Sequence, residues 1–381
     1  MATTKVRGEL VDLNEATSES GLKIPSGTEL NRPTAAAGQI RNNTNETSDG
    51  SASCEEYYNG TAWQKINNVP LPVYYRAVLY TGTGSTQSIT GLGFKPDLLW
   101  IKERDGTDAH FIQDSTRGST YTIYTNANSA QFNETQAVTS FDADGFTLGS
   151  YQGTNNNGNL FVAYGWQANG GNTSSNNDGS ATSTVQVNTA AGFSIAQMTW
   201  ASAGSIGHGL GSTPEFILLK ATSSAEDWQV YHTAMGTGNY MKLNDTAGIT
   251  ARADSFSTVN STIVTNSWTG ASVDWIMYSF VSVAGFSKFG SYTGNATAGQ
   301  AITTGFSPTW ILIKSTVGNA NWRLYDTTRG ITTGGFFRVQ ATNAEDTANA
   351  PNLDITATGF EINANGVFQG LNASGNLYIY A

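Results

Sequence analysis

The chain has 381 residues, which is enough for two or three domains with buried cores. It carries 19 Lys and Arg against 29 Asp and Glu, a formal net charge of −10, and this sign disfavours a protein that binds the phosphate backbone of nucleic acid. The single cysteine excludes an intrachain disulfide framework and a multi-cysteine zinc site.

The composition favours short strands joined by tight turns. Charged residues make up only 13% of the chain, whereas there are 42 Gly, 17 Phe and 16 Tyr. Three histidines leave little material for acid–base catalysis, so an ordinary metabolic enzyme is disfavoured. We find no secretory signal and no apolar run approaching about 18 residues, so we expect no membrane insertion.

The N-terminal segment, residues 1–72, is predicted to be extended and to end in a β-hairpin. Tyr57-Tyr58 and Trp63 flank the pair Asn59-Gly60, which is typical of a type I′ turn. A hairpin of this size is not stable alone, so we expect the segment to become ordered by association.

From residue 77 onward, one pattern occurs three times. Each copy has a Gly three residues before a Pro and a Lys six residues after it, in 93–102, 211–220 and 305–314. Twelve residues after each Lys stands Asp114, His232 or Asp326, and a Gly follows four residues later. Each copy ends in an apolar and aromatic strand.

These repeats predict three modules, at 73–167, 183–284 and 285–381. The Gly-, Asn- and Ser-rich stretch 168–182 between the first two is predicted to be a flexible linker. The apolar run after each Pro is expected to be a strand buried on both faces. We therefore predict an all-β fold of three tandem β-sandwich or jelly-roll-like modules.

No catalytic, cofactor or metal site is predicted. The acid pairs 55–56, 142–144 and 226–227 lie beside glycines or in polar loops, and neighbours on a strand point to opposite faces, so they do not form the carboxylate pair of a glycosidase. Residues 142–145 lack the further ligands of a calcium loop. The three histidines form no Ser/His/Asp or Cys/His arrangement.

The basic residues of the repeats could be ligand contacts, but their recurrence favours a structural role. Lys102, Lys220 and Lys314 occupy matching positions. Arg117 and Arg329 both lie in an Asp-x-Thr-Arg-Gly sequence. We expect these side chains to form pairs within the modules or to cap their edges.

Several motifs resemble those of bacteriophage proteins. The stretch 24–66, with Ile24-Pro25-Ser26-Gly27-Thr28 and Tyr57-Tyr58-Asn59-Gly60-Thr61-Ala62-Trp63, resembles a module of phage tail-fibre and virion-appendage proteins. Residues 77–381 resemble repeat proteins of marine tailed phages, including cyanophages. The matching stretches are 93–96, 114–118, 140–150 and 285–294.

The resemblance implies a non-enzymatic virion structural protein. It would be a homotrimer, attached near its N-terminus to other tail or capsid proteins, and would display its β-rich modules on the particle surface. Our first hypothesis is a tail fibre or short appendage that binds a glycan or protein receptor on the host. The alternatives are a capsid fibre or decoration protein on the head and, less favoured, a polysaccharide-degrading tail spike.

Candidate receptor-binding residues are expected in loops where the modules differ. Asn side chains offer donors and acceptors to hydroxyl groups, and an exposed indole offers an apolar face to a sugar ring. The candidates are Asn155, Asn156, Asn157, Asn159, Trp228 and Trp322. The alternative for both tryptophans is a core position, because both follow the repeat Lys at a similar distance. The acidic charge favours a neutral glycan or a protein as the receptor.

Overall fold

The computed structural model describes residues 26–27, 40–43, 54–58, 60–65, 73–200, 204–266, 272–330, 335–347, 353–363 and 371–381. The chain divides into two compact units, Met1–Pro72 and Val73–Ala381. Most of the predicted N-terminal segment, including Asn59 of the predicted turn, lies outside the described residues.

The first unit contains a four-stranded sheet in the order β1-β2-β3-β4. Its strands are β1 (Ser26–Gly27), β2 (Ile40–Asn43), β3 (Cys54–Tyr58) and β4 (Trp63–Lys65). β3 and β4 pair in antiparallel fashion with Tyr58 opposite Trp63, and the two rings lie 5.6 Å apart. Gly60 between them has a φ of 100°. The predicted hairpin is therefore confirmed.

Module 1 consists of a six-stranded sheet, β10-β9-β8-β7-β13-β5, and a three-stranded sheet, β11-β12-β6. The strands are β5 (Tyr75–Thr81), β6 (Gln87–Thr90), β7 (Leu98–Glu103), β8 (Phe111–Asp114), β9 (Tyr121–Tyr124), β10 (Phe132–Asn133), β11 (Val138–Asp142), β12 (Gly145–Leu148) and β13 (Leu160–Trp166). A single helical turn, α1 (Gln152–Asn155), precedes β13.

Module 2 has the same plan with two added strands at one edge. Its large sheet runs β14-β15-β16-β24-β18-β19-β20-β21 and its small sheet runs β17-β23-β22. The strands are β14 (Ser174–Asn176), β15 (Ser183–Asn188), β16 (Phe193–Trp200), β17 (Gly204–Gly207), β18 (Phe216–Ala221), β19 (Gln229–His232), β20 (Asn239–Lys242), β21 (Thr250–Ala251), β22 (Thr258–Val259), β23 (Ile263–Asn266) and β24 (Val273–Phe280). A short 3₁₀ helix covers Thr233–Met235.

Module 3 has a five-stranded sheet, β25-β32-β27-β28-β29, and a three-stranded sheet, β26-β31-β30. The strands are β25 (Gly290–Thr293), β26 (Gln300–Thr303), β27 (Trp310–Ser315), β28 (Arg323–Asp326), β29 (Phe337–Arg338), β30 (Leu353–Thr356), β31 (Gly359–Ile362) and β32 (Leu377–Tyr380).

The predicted all-β fold of three sandwich modules is confirmed. In each module, one face of the large sheet packs on the small sheet. In module 1, Leu99 and Phe161 of the large sheet share a core with Phe146 and Leu148 of the small one. Equivalent cores fill modules 2 and 3.

The opposite faces of the three large sheets meet in one central core. Trp100 of module 1, Leu218 of module 2 and Leu312 of module 3 belong to this single cluster, and each stands four residues after the repeat Pro. This second burial explains why β7 and β18 are buried along their whole length, because successive side chains enter the module core and the central core in turn. The modules therefore associate around a shared centre.

The structure also confirms the alignment of the repeats. β7, β18 and β27 each begin two residues after the repeat Pro and carry the repeat Lys at their fifth position. Gly93, Gly211 and Gly305 all have positive φ, of 81°, 68° and 91°, so they occupy equivalent left-handed turns.

Residues 168–182, predicted to be a flexible linker, are instead tied to both neighbouring modules. The amides of Ala168 and Gly170 donate to the buried Oδ2 of Asp97, at 2.7 and 2.8 Å. Within the same stretch, β14 pairs with β15 and extends the sheet of module 2. A polar, Gly-rich composition does not distinguish a free linker from a stretch whose amides bind a buried carboxylate.

Candidate functional site

The recurrent Asp-x-Thr-Arg-Gly sequence forms a buried ion pair at a joint between modules. Asp114 accepts from Arg117 Nε at 2.5 Å, and both side chains are almost fully buried. Tyr278 of module 2 donates its hydroxyl to the same Oδ2 atom of Asp114 at 2.7 Å. Burial, and then the carboxylate of Asp114, raise the pKa of Tyr278 well above its ordinary value, so the hydroxyl keeps its proton.

The same arrangement joins modules 1 and 3. Asp326 pairs with Arg329, and Tyr164 of module 1 donates to Asp326 Oδ2 at 2.7 Å. Arg329 also pairs with Glu345 at 2.7 Å. The structural role predicted for both arginines is confirmed, and a tyrosine hydroxyl from another module bonds to the carboxylate of each ion pair.

The third joint, between modules 2 and 3, is built differently. His232 stands where the other modules have Asp, and its Nε2 lies 3.2 Å from the carbonyl oxygen of Tyr380. Its Nδ1 accepts from the amide of Ala234 at 3.1 Å. Burial lowers the pKa of His232 to about 4, so the ring is neutral. Ala381 pairs with Leu312 and so occupies the position of Tyr164 in module 1 and Tyr278 in module 2. Module 3 therefore has no tyrosine hydroxyl at this position.

Trp228 and Trp322, predicted as possible sugar platforms, are buried at 0% and 1% exposure. Their indoles connect neighbouring modules: Trp228 Nε1 donates to the carbonyl of Tyr124, and Trp322 Nε1 donates to the carbonyl of Lys242, both at 2.8 Å. The apolar face is thus unavailable to a ligand. The core alternative for both residues is correct.

His110 of module 1 occupies the position that Trp228 has in module 2 and Trp322 in module 3, and this equivalence was not predicted from the sequence. His110, Trp228 and Trp322 each stand fourteen residues after the repeat Pro, which is the signal that could have identified them. The His110 ring packs edge-on against Phe337 of module 3 with centroids 5.6 Å apart. Module 1 therefore contacts module 3, module 2 contacts module 1, and module 3 contacts module 2, which closes a ring.

The three repeat lysines are fully buried. Each Nζ donates to the carbonyl of the following residue, at 2.7 Å for Lys102 and Lys220 and 2.9 Å for Lys314. Lys220 also reaches the carbonyl of Asn128 in module 1, and Lys314 reaches that of Thr246 in module 2. Burial lowers the pKa of all three lysines to about 8.

The Asn-rich loop of module 1 contains one buried structural residue. The side chain of Asn155 is fully buried, donates to the carbonyls of Ser85 and Gly149, and accepts from the amide of Thr83 at 2.8 Å. Asn372 of module 3 makes the equivalent bond to the amide of Asn295 at 2.8 Å. Asn155 therefore holds the loop together and is not available to a receptor.

The other residues of this loop differ in their exposure. Asn157 is exposed, Asn156 is partly buried after α1, and Asn159 donates to Glu103 Oε1. Asn157 is therefore the predicted receptor residue with the most accessible side chain.

Asp144 and Asp227, two of the carboxylates considered in the sequence, have structural partners. Asp144 accepts from the amides of Gly91 and Gly93, at 3.2 and 2.5 Å, and Asp227 pairs with Lys242 at 2.6 Å. The side chains of Glu55 and Glu56 lie outside the described residues. Among the described residues, no three His, Cys, Asp or Glu side chains are grouped to hold a metal ion. None of the helices described here is long and apolar enough to cross a membrane.

A family model for a domain of unknown function, DUF7483, matches residues 72–381. The chain belongs to the DUF7483 family. The match covers the three modules and begins at the boundary between the two compact units. No curated protein and no solved structure matches the chain. The DUF7483 domain of this chain is thus the complete ring of three modules.

Proposed function

We propose that this protein is a non-enzymatic structural protein of a bacteriophage virion, a tail fibre or short appendage that attaches to the host surface. The main support for the proposal is that the repeated polar side chains make contacts between modules. Asp114, Asp326 and His232 take part in hydrogen bonds that cross a module boundary, as do Lys220 and Lys314. Lys102 lies over the ring of Phe337 in module 3. These contacts support a structural role for the repeated residues, in a protein that presents its surface loops, rather than a role in an active site.

The surface chemistry supports a neutral receptor. The chain has a net charge of −10, which disfavours binding to acidic polysaccharide. Because the modules share one scaffold, recognition falls to the positions at which they differ. A neutral glycan or a protein on the host surface is the receptor class that fits.

We further propose that three chains associate through the segment 1–72, which attaches the protein to other virion proteins. The four described strands of this unit are only two to five residues long, and we infer that a sheet this small is stabilised by association. Light scattering on the full-length protein is expected to give three times the 40.4 kDa mass of the chain. A monomer in which residues 1–72 resist protease would contradict this assembly.

The test of the function is the position and copy number of the protein in the intact particle. Electron microscopy of virions labelled with antibody against the three modules is expected to place it on the tail. Label distributed over the head would favour the capsid decoration alternative. Release of reducing sugar from host envelope polysaccharide by the purified protein would overturn the non-enzymatic assignment.

A further inference from the structure

A cleft of about 430 Å³ opens where module 1 ends and module 2 begins. One wall is the turn that follows β13, from Gln167 to Gly170. The other wall is the end of β15 and its turn, from Val187 to Ala190. The cleft is shallow and open to solvent, and its volume falls in the range of small-molecule sites in proteins.

Both walls are held in place by hydrogen bonds beneath the cleft. Asn188 Nδ2 donates to the carbonyl of Gln167 at 3.2 Å, which ties the two walls together. Asn188 Oδ1 accepts from the amide of Ala191 at 3.0 Å and shapes the turn. The contacts of Ala168 and Gly170 with buried Asp97 hold the first wall. A ligand would therefore meet a site that is already formed.

The lining carries free polar groups but no charge. The side-chain amide of Gln167 and the hydroxyl of Thr189 make no hydrogen bond within the described residues, and Thr189 is exposed. Asn169 Nδ2 donates to the carbonyl of Asn172, while Asn169 Oδ1 accepts no hydrogen bond from the described residues. These groups together offer both donors and acceptors, which suits hydroxyl groups because each hydroxyl also donates and accepts.

The modules differ at the turn that follows the last strand of each module, which forms the first wall of the cleft in module 1. In module 2 the residues after β24 are Val281, Ser282 and Val283. The hydroxyl of Ser282 donates a hydrogen bond to Glu215 Oε2 and is therefore occupied. The second wall of the cleft also belongs to β15, a strand that the large sheets of modules 1 and 3 lack among their described residues. The cleft is therefore a feature of the junction between modules 1 and 2.

We propose that this cleft binds a neutral sugar unit, with Gln167 and Thr189 as the contacting side chains. The inference deepens the proposed attachment function and rests on it for its biological setting. A uronic or sialic acid would gain no ion pair from the lining and would meet an acidic protein, so charged sugars are expected to bind more weakly.

The test is saturation-transfer NMR on the full-length protein, followed by titration. The probes are the methyl glycosides of glucose, galactose and mannose, together with N-acetylglucosamine and glucuronate. We expect at least one neutral probe to bind. We expect Gln167→Ala to weaken it at least tenfold, and Thr189→Val to weaken it several-fold. The matched control is Thr184→Val, at an exposed threonine on β15 outside the cleft, which is expected to stay within twofold.

A melting curve for each variant keeps loss of binding separate from loss of folding. Equal affinity in Gln167→Ala and the parent protein would overturn the cleft as the site, and so would binding of glucuronate alone. If no neutral probe binds, the inference fails while the virion location is still decided by microscopy. If sugar binding depends on Gln167 but the protein is absent from virions, the inference stands and the proposed function fails.

Discussion

The hydroxyl of Tyr278 donates to Asp114 Oδ2 over 2.7 Å, although 164 residues separate the two in the chain. The bond joins module 2 to the buried ion pair of module 1. Since hydrogen bonds to charged groups contribute about 1.5 to 3 kcal/mol, we expect Tyr278→Phe to lower the free energy of unfolding by about that amount. Denaturant titration measures it. Tyr121→Phe, at a residue that is 38% exposed, is the control and is expected to have no measurable effect.

The apolar core of module 1 gives a second prediction. Leu99 is fully buried between the two sheets, so Leu99→Ala is expected to cost about 2 to 5 kcal/mol through lost contacts and a cavity. Leu79, which is 42% exposed, provides the matched control, and Leu79→Ala is expected to cost much less. Equal losses in the two variants would contradict the assignment of Leu99 to the core.

The buried lysines predict a stability that rises with pH. Burial lowers their pKa in the folded protein to about 8, from 10.5 in the unfolded chain, so the unfolded chain binds more protons in between. The cost of burying these charges is complete below pH 8 and is progressively relieved above it. We expect the free energy of unfolding to rise between pH 8 and about 10.

Lys220→Met tests whether the buried lysines cause the rise in the free energy of unfolding with pH, since it removes one of the three amino groups. Unfolding titrations at pH 7, 8, 9 and 10 are expected to give a shallower rise in the variant than in the parent protein. The buried tyrosines act in the opposite direction, because burial raises the pKa of Tyr80 and Tyr278 well above 10. For this reason the measurement stops at pH 10. An unchanged slope in Lys220→Met would contradict the assignment.

His232 predicts a loss of stability in acid. Burial lowers its pKa from 6.5 to about 4, so its neutral form stabilises the fold at neutral pH, and this contribution is lost as pH falls from 6.5 to 4. His110 and His208 are shifted in the same direction by burial. His232→Gln is therefore expected to reduce the acid dependence without abolishing it. Thermal melts at pH 7, 5.5 and 4.5 measure the difference, and identical pH profiles would contradict it.

The Asn-rich loop provides a pair of variants with opposite expectations. Asn155→Ala leaves the carbonyls of Ser85 and Gly149 and the amide of Thr83 without their partner, so a loss of about 1 to 3 kcal/mol is expected. Asn157→Ala removes an exposed side chain and is expected to leave stability unchanged. The comparison is made by denaturant unfolding, and it also separates structural from receptor effects in adsorption assays.

The local structure could be predicted because it depends on residues close together in the chain. The Gly-x-x-Pro spacing, the apolar run and the Asn59-Gly60 pair indicate turns and strands directly. The ring could not be predicted, because periodicity marks a strand such as β7 as buried on both faces without saying what covers each face. The position shared by His110, Trp228 and Trp322 was visible as a spacing, but a histidine and two tryptophans do not form a recognisable sequence motif.

The candidate site was predicted less well than the fold. Exposure was inferred from polarity for Asn155, although its side chain is buried by contacts with distant residues. For Trp228 and Trp322 the sequence offered both a loop and a core position, and the core position is correct. The cleft at Gln167 and Thr189 lies at a junction that was assigned to the end of a module and a flexible linker. A concave surface formed by two modules has no signature in either sequence segment alone.

The closed ring has a consequence for synthesis on the ribosome. Tyr164 finds its partner only when Asp326 has been made, and Trp100 packs against Trp310 with ring centroids 6.3 Å apart. Until then, the part of the central core that module 3 covers stays exposed, and exposed apolar faces of this kind promote aggregation. The ring therefore cannot close before module 3 has been synthesised. A chain that terminates before module 3 would carry two sandwiches with a partly uncovered apolar face.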